Sequence, residues 1–173
     1  MRIRFLCPQG FEKWSYDSPT KQGIGGSETA AVELSWRLAR RGHEVTVYAP
    51  IPTDCPSNWR GTTWLPVEAA DFSQPGLWVI HRSPGSADLF DWAPESRGQE
   101  LFHLSQDVVY TEACGGEYTP ERVRKFTRVI ALCQAHRDHL AAAFPFMADK
   151  LCIGSNGVKS DEFAAYPDFS RFP

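Results

Sequence analysis

The residues best suited to chemistry lie in three short stretches: Gly23-Ile24-Gly25-Gly26-Ser27-Glu28, His81-Arg82-Ser83 and Gln106-Asp107. A glycine pair abutting a helix leaves unpaired peptide N–H groups at the positive end of the helix dipole, which attracts an anion. Gly25 and Gly26 lack Cβ, so a phosphate can approach the backbone closely. Glu28 opposes this, because it suits the dipole itself and repels a phosphate unless it is turned away. On the residues alone, a phosphate cradle and a plain loop-to-helix turn both stay open. A dinucleotide fingerprint does not fit. Glu28 stands where the last glycine of G-x-G-x-x-G belongs, and a long loop separates the glycines from the first strand. The second strand ends Tyr48-Ala49-Pro50, without the acid that binds a ribose. No Gly-Lys-Ser/Thr is present for a Walker A loop.

Other candidates carry two readings each. Asp107 is either a site residue or a cap for the next segment, and His81 is either a site residue or a strand-end histidine bonded to a loop. His103 lies inside an apolar run and reads as a core residue. His136 and His139 stand three apart on a helix, a spacing that suits two metal ligands. No third ligand is in view, however, and Arg137 and Asp138 mark a solvated face, so metal binding is not expected. Phe11, Trp14 and Tyr16 either form a lid, stack on a sugar, or anchor their loop to the sheet.

These stretches need elements to hold them. Arg2–Cys7 reads as a strand and Pro8–Gly26 as a long loop of the kind that carries function. Ser27–Arg41 reads as a helix with Ala30, Ala31, Leu34 and Leu38 on its apolar face and Gly42 as a left-handed cap. Glu44–Ala49, Thr62–Val67, Leu77–His81, Glu100–Ser105, Arg128–Cys133 and Lys150–Ile153 read as further strands. Ala87–Trp92, Thr119 to about Phe126 and Gln134–Phe144 read as helices. Pro50–Asn58 reads as a connection without periodicity. Continuous apolar strands alternating with helices predict an α/β, Rossmann-like parallel sheet with helices on both faces. Ligands of such sheets sit outside the carboxyl ends of the strands, and all three stretches fall there.

Composition narrows the function classes. A hydrophobic content of 42% supports a real core, and a net charge of -3 gives no general pull toward nucleic acid or acidic membranes. Five dispersed cysteines without a C-x-x-C pair read as reduced thiols of a cytoplasmic protein, with Cys7, Cys133 and Cys152 in the core. No apolar stretch is long enough to span a bilayer, and Met1–Cys7 is too short and polar for a signal peptide. Residues 1–160 read as one unit and 161–173 as the start of a linker. The carboxyl-end rim gathers Phe11, Trp14, Tyr16, Tyr110, Phe163, Tyr166, Phe169 and Phe172, so self-association or docking of the tail over the rim is expected.

Three segments carry a family resemblance. G-G-x-E at the helix start, followed by ELSWRLARRGHEVTVYAP, resembles the N-terminal half of GT-B glycosyltransferases close to family 4. RVIALCQAHRDHL is similar to the family's strand, Ser-containing turn and helix, with Cys133-Gln134 where a Ser is common. KLCIGSNGVKSDEF resembles the strand ending in Asn-Gly-Val-Asp, with Lys159 in place of the Asp. The likeness extends to about Phe163.

The resemblance implies a retaining transfer of a sugar from a nucleotide-sugar donor to an acceptor hydroxyl of a glycan, lipid or small molecule. It implies donor phosphate binding at Gly25, Gly26 and Ser27, with no cofactor and no metal. His81 and Asp107 become the catalytic candidates, although Gln106 replaces the His of the family's His-Asp. Trp14, Arg82 and Gln106 become acceptor or sugar contacts, and Asn156-Gly157 the interdomain hinge. The resemblance also implies a C-terminal partner domain carrying a basic diphosphate pair and a Glu-x7-Glu motif. No two Glu of this sequence stand at that spacing, so these residues read as the acceptor-side half, inactive alone. The rivals are a non-catalytic binding module and another Rossmann enzyme such as a methyltransferase. The second strand's lack of a following acid counts against the methyltransferase.

Overall fold

The computed structural model describes residues 1–8, 12–21, 23–90, 97–107 and 117–156 of the chain. The strands are β1 (Arg2–Leu6), β2 (Glu44–Ala49), β3 (Asn58–Trp59), β4 (Thr62–Pro66), β5 (Gly76–His81), β6 (Gln99–Leu104), β7 (Arg128–Ala131) and β8 (Leu151–Ile153). The helices are α1 (Ser18–Lys21), α2 (Gly26–Arg40), α3 (Pro120–Lys125) and α4 (Gln134–Ala143). One sheet holds the strands in the order β3-β4-β2-β1-β5-β6-β7-β8, parallel except for the antiparallel β3–β4 pair. From β1 the chain winds outward through β2 and β4, then returns to β5 on the other side of β1. That reversal between β1 and β5 is the switch point, where two loops leave in opposite directions and open a crevice.

The expected α/β architecture is therefore present, with the core divided between the two sheet faces. One face packs Ile3, Phe5, Val45, Val47 and Trp64 against Ala31 and Val32 of α2. The other packs Leu6, Trp78, Ile80, Leu101 and Val129 against Val123 of α3 and Leu140 of α4. α3 begins as expected: Thr119 caps it by accepting from the Arg122 N–H at 3.3 Å, with Pro120 in the first turn. Lys150 closes its other end, donating to the carbonyls of Val123 (2.9 Å), Arg124 (3.0 Å) and Phe126 (2.7 Å). Lys150 thus ends a 3-10 segment, Pro145–Lys150, and the strand starts one residue later than expected. No helix among the described residues is long and apolar enough to cross a membrane.

Several expectations need correction. The buried stripe of α2 is Glu28, Ala31, Val32 and Ser35, and Leu34 is 38% exposed. Two polar residues belong to that stripe, which hid its phase: Ser35 Oγ donates to the Val32 carbonyl, and Glu28 points into a charged cleft. The Pro-rich connection ends in a hairpin, in which Arg60 (φ 47) and Gly61 (φ 81) supply the two left-handed residues of a tight turn. The segment expected as the helix Ala87–Trp92 is a 3-10 turn over Pro84–Leu89, and residues 91–96 lie outside the described set.

The cysteine and aromatic expectations also divide. Cys7 is buried in the core, whereas Cys133 is exposed and Cys152 half-buried. Cys133 sits at the start of α4, where the chain turns out of the sheet. Trp14 is 2% exposed and packs edge-on against Trp64, while Tyr16 stacks on Trp59 at 4.9 Å. These two rings anchor the loop after β1 rather than line an apolar rim. Phe11, Tyr110 and the tail aromatics lie outside the described residues.

Candidate functional site

The switch point is the floor of an open cleft of about 740 Å³. The loop after β1 supplies Glu12 and Trp14, and the start of α2 supplies Gly25, Gly26, Ser27 and Glu28. Arg82 enters from the end of β5, Gln106 and Asp107 from the end of β6, and Asn156 from beyond β8. Eight of the ten residues singled out from the sequence thus meet in one space: Trp14, Gly25, Gly26, Ser27, Arg82, Gln106, Asp107 and Asn156, with Trp14 almost wholly buried. His81 lies beneath the cleft without lining it, and Gly157 is outside the described residues.

A charged network crosses the cleft. Arg82 Nε donates to Asp107 Oδ2 at 2.8 Å, and Arg82 Nη1 stands 4.0 Å from Glu28 Oε1. The guanidinium reaches both because Arg82 has φ 67, in the left-handed region that costs a residue with Cβ about 1–2 kcal/mol. Glu28 is the third residue of α2 and folds back over Gly25, where its Oε2 accepts from Ser27 Oγ at 2.8 Å. It is not turned away from the helix start. A Cβ built on Gly25 would collide with that carboxylate, whereas one on Gly26 would meet open space. Both glycines are exposed, but the space a side chain would take is free at Gly26 and held by the Glu28 carboxylate at Gly25.

Burial sets the chemistry of the groups beneath. His81 is 3% exposed, and desolvation lowers its pKa to about 4 against the upward pull of Glu28. It is neutral near pH 7. His103 is fully buried and its pKa falls to about 3, again by desolvation; Tyr118 Oη lies 2.7 Å from its Nδ1. The core reading of His103 holds. Burial, with Glu28 adding to it, raises the Cys7 thiol far above its ordinary range, so Cys7 is not a nucleophile. Around the cleft, Trp14 Nε1, His81 Nε2 and Gln106 Nε2 are buried without a hydrogen-bond partner among the described residues. Buried polar atoms normally have partners, and of these three Trp14 Nε1 and Gln106 Nε2 belong to residues that line the cleft. Gln106 Oε1 accepts from Asn156 Nδ2 at 3.4 Å, joining the end of β6 to the segment after β8.

His136 departs most from its expected place. Rather than facing solvent, it is 6% exposed and turned inward at the start of α4. Its Nδ1 accepts from the Leu132 N–H at 3.3 Å, so the opposite nitrogen carries the proton. Nε2–H then donates to the Asp107 carbonyl at 2.9 Å, with Ser105 Oγ at 3.3 Å. His139 is exposed, so the two histidines do not share a face. Among the described residues no group of three or more His, Cys, Asp or Glu could hold a metal ion. One signal could have found His136: it occupies the first turn of a helix that starts at the carboxyl edge of the sheet.

A cleft over the switch point of a parallel sheet, walled by a helix N-terminus and by loops from both halves of the sheet, can be compared with solved structures. Anabaena HepE in complex with UDP matches with a TM-score of 0.53 at 16% identity, covering 93% of this chain and 45% of HepE. HepE with UDP and glucose matches at TM-score 0.52 and 15% identity, covering 93% and 46%. HepE with UDP-glucose matches at 0.53 and 15%, covering 93% and 45%. The fold matches one Rossmann-like half of a GT-B fold. The chain spans about half the length of the structures it matches. No protein-family model matches the sequence, and no curated protein matches it.

Proposed function

We propose that the chain is the acceptor-side half of a retaining, family-4-like glycosyltransferase acting in the cytoplasm, and that its cleft receives the sugar end of a nucleotide-sugar donor. The observation that carries this reading is the Glu28–Arg82–Asp107 network set beside the exposed start of α2 at Gly26. Carboxylate oxygens and a guanidinium match the donors and acceptors of sugar hydroxyls. Gly26 and Ser27 present the anion-attracting end of α2 to the leaving diphosphate, which this half stabilises by peptide dipoles without a metal. Asp107 and His81 are the residues nearest to an acid–base role, with Asp107 orienting the acceptor hydroxyl.

The charge balance assigns a division of labour. The described lining holds Glu12, Glu28 and Asp107 against Arg82 alone. At 4 Å an uncompensated like-charge pair near a protein surface costs about 4 kcal/mol. A diphosphate cannot be neutralised by this wall, so its cationic partners come from a second unit facing the rim. Transfer by these residues alone is therefore expected to be absent, and turnover of any nucleotide sugar by the purified 173-residue chain would overturn that part.

Glu28 also supports a second reading, a non-catalytic module for a neutral hydroxyl-rich ligand, because its carboxylate covers Gly25. Calorimetric titration with UDP-glucose, UDP and glucose separates the two. Donor binding predicts UDP-glucose tighter than either fragment. Glucose binding with no gain from the UDP moiety would favour the module, and heat from none of the three would sink both.

A further inference from the structure

We propose that His136 is a positioning residue for the cleft: it fixes the loop after β6 so that Asp107 presents its carboxylate to Arg82. The proposal rests on reading the Arg82–Asp107 pair as part of the ligand site, and it assigns a role to a histidine that this site does not contact.

The geometry is specific. Two hydrogen bonds among the described residues meet at Asp107. Its carboxylate receives Arg82 Nε at 2.8 Å, and its carbonyl receives His136 Nε2–H at 2.9 Å. His136 is held in turn by the Leu132 N–H at Nδ1, 3.3 Å away. The ring therefore bridges two backbone groups, one after β7 and one after β6, and only the tautomer with its proton on Nε2 satisfies both. Ser105 Oγ, 3.3 Å from Nε2, lies on the same loop two residues before Asp107. Ser105 itself is tied into the sheet, its N–H donating to the Ile130 carbonyl at 3.0 Å. The brace thus runs from the rigid β6–β7 pair through His136 to the residue that pairs with Arg82. At its far end Arg82 keeps a left-handed backbone, which persists only where its surroundings hold it.

A ring that merely filled space would not need both nitrogens engaged. Leucine would fill the same volume and leave the Leu132 N–H and the Asp107 carbonyl without their partner. Glutamine can offer an Nε2–H near the position of the histidine Nε2, whereas asparagine is too short to reach. The exposed His139, on the same helix, serves as the control.

The test compares H136L, H136N, H136Q and H139A in the full chain by two readouts. The first is the NMR resonance of the Arg82 Nε–H, identified by its loss in R82K, which reports directly on the hydrogen bond to Asp107. The second is the Kd for UDP-glucose. In H136L and H136N the Arg82 Nε–H resonance should move to the position of a solvent-exposed arginine, and Kd should rise about tenfold, since small misplacements of a positioned group carry losses of that order or larger. H136Q should restore the resonance and bring Kd within about twofold of the parent, a difference of under half a kcal/mol. H139A should change neither readout. An unmoved Arg82 resonance in folded H136L and H136N would overturn the proposal, whatever happens to thermal stability. So would a shift in H136Q as large as that in H136N. If the parent chain takes no UDP-glucose, the functional reading fails on its own, and the Arg82 resonance still decides whether His136 positions the pair.

Discussion

Helices α2 and α4 begin in the same way and end up with opposite roles. Both start at the carboxyl edge of the sheet, and both follow a residue whose side chain makes no cap hydrogen bond, Gly25 in one case and Cys133 in the other. In each the third helical residue turns back, Glu28 over Gly25 and His136 onto the Leu132 N–H. Glu28 belongs to a charged network that borders open space, so α2 keeps Gly26 accessible. His136 instead ties two loops of the fold together, and its nitrogens are committed to backbone groups. The difference is that α2 starts beside an open cleft at the switch point, whereas α4 starts after β7 with its third residue committed to the fold.

Acid should have the largest effect, because two buried histidines, His81 and His103, are neutral in the folded chain. His81 and His103 have folded pKa values of about 4 and about 3, against an ordinary 6.5. Below pH 6.5 the unfolded chain binds protons that the folded chain does not. Stability is therefore complete above pH 6.5 and falls as the pH drops, by about 1.4 kcal/mol per pH unit for each histidine until its folded pKa is reached. Urea unfolding between pH 7 and 4 should show a slope approaching two protons, and H81Q should bring it close to one. A flat profile over that range would mean that both rings are hydrated.

Removing the central cation should act most on the α2 side. Arg82→Ala deletes charge-assisted hydrogen bonds of about 1.5–3 kcal/mol, so UDP-glucose affinity should fall roughly tenfold to a hundredfold. The Leu132–His136 hydrogen bond does not include that guanidinium, so the Leu132 amide shift should move less than those of Ser27 and Asp107. A Leu132 shift as large as that at Asp107 would show that Arg82 holds the brace as much as the brace holds Arg82.

The glycine pair sharpens the comparison within α2. Gly26→Ala places its Cβ in open space at the helix start and should leave stability unchanged or raised by less than about 1 kcal/mol. Its methyl group occupies the approach to the N–H groups, so UDP-glucose should bind several-fold more weakly, by roughly 1 kcal/mol. Gly25→Ala pushes the Glu28 carboxylate aside and should act on UDP through that charge. Equal effects at the two positions would remove the distinction between free and occupied space at the two glycines.

The smallest effect belongs to α4. Cys133 has the extended backbone of an N-cap residue but makes no side-chain cap hydrogen bond. Cys133→Ser should add one and stabilise the chain by about 0.5–1 kcal/mol, with no change in ligand binding. Thermal unfolding and a UDP-glucose titration of the same variant check both halves of this expectation.

The architecture was largely legible because buried parallel strands are written as apolar runs, and Gly42 (φ +87) and Thr119 mark helix ends by their chemistry. The hairpin at Arg60-Gly61 was not, since its two-residue β3 lies inside a proline-rich stretch. In the site, Gly25, Gly26, Arg82, Gln106, Asp107 and Asn156 could be placed together from the rule that ligands sit at strand carboxyl ends. The crowding at Gly25 could not, because it depends on which way Glu28 turns, with Ser27 at 2.8 Å from one carboxylate oxygen and Arg82 of another strand at 4.0 Å from the other. His136 was hidden for a related reason. Both its main partners are backbone groups, which leave no trace in residue types, and one of them comes from a distant loop.

The central claim is that the cleft beside α2, and not the start of α4, receives a nucleotide sugar. Its most direct test is a titration of the 15N-labelled chain with UDP-glucose, followed at each backbone amide. The account predicts saturable shifts at Gly26, Ser27, Arg82, Gln106 and Asp107, with Gln134 and Ala135 of α4 unmoved. Saturable shifts confined to α4, or no shifts at Gly26 and Arg82 at any UDP-glucose concentration reached, would contradict it.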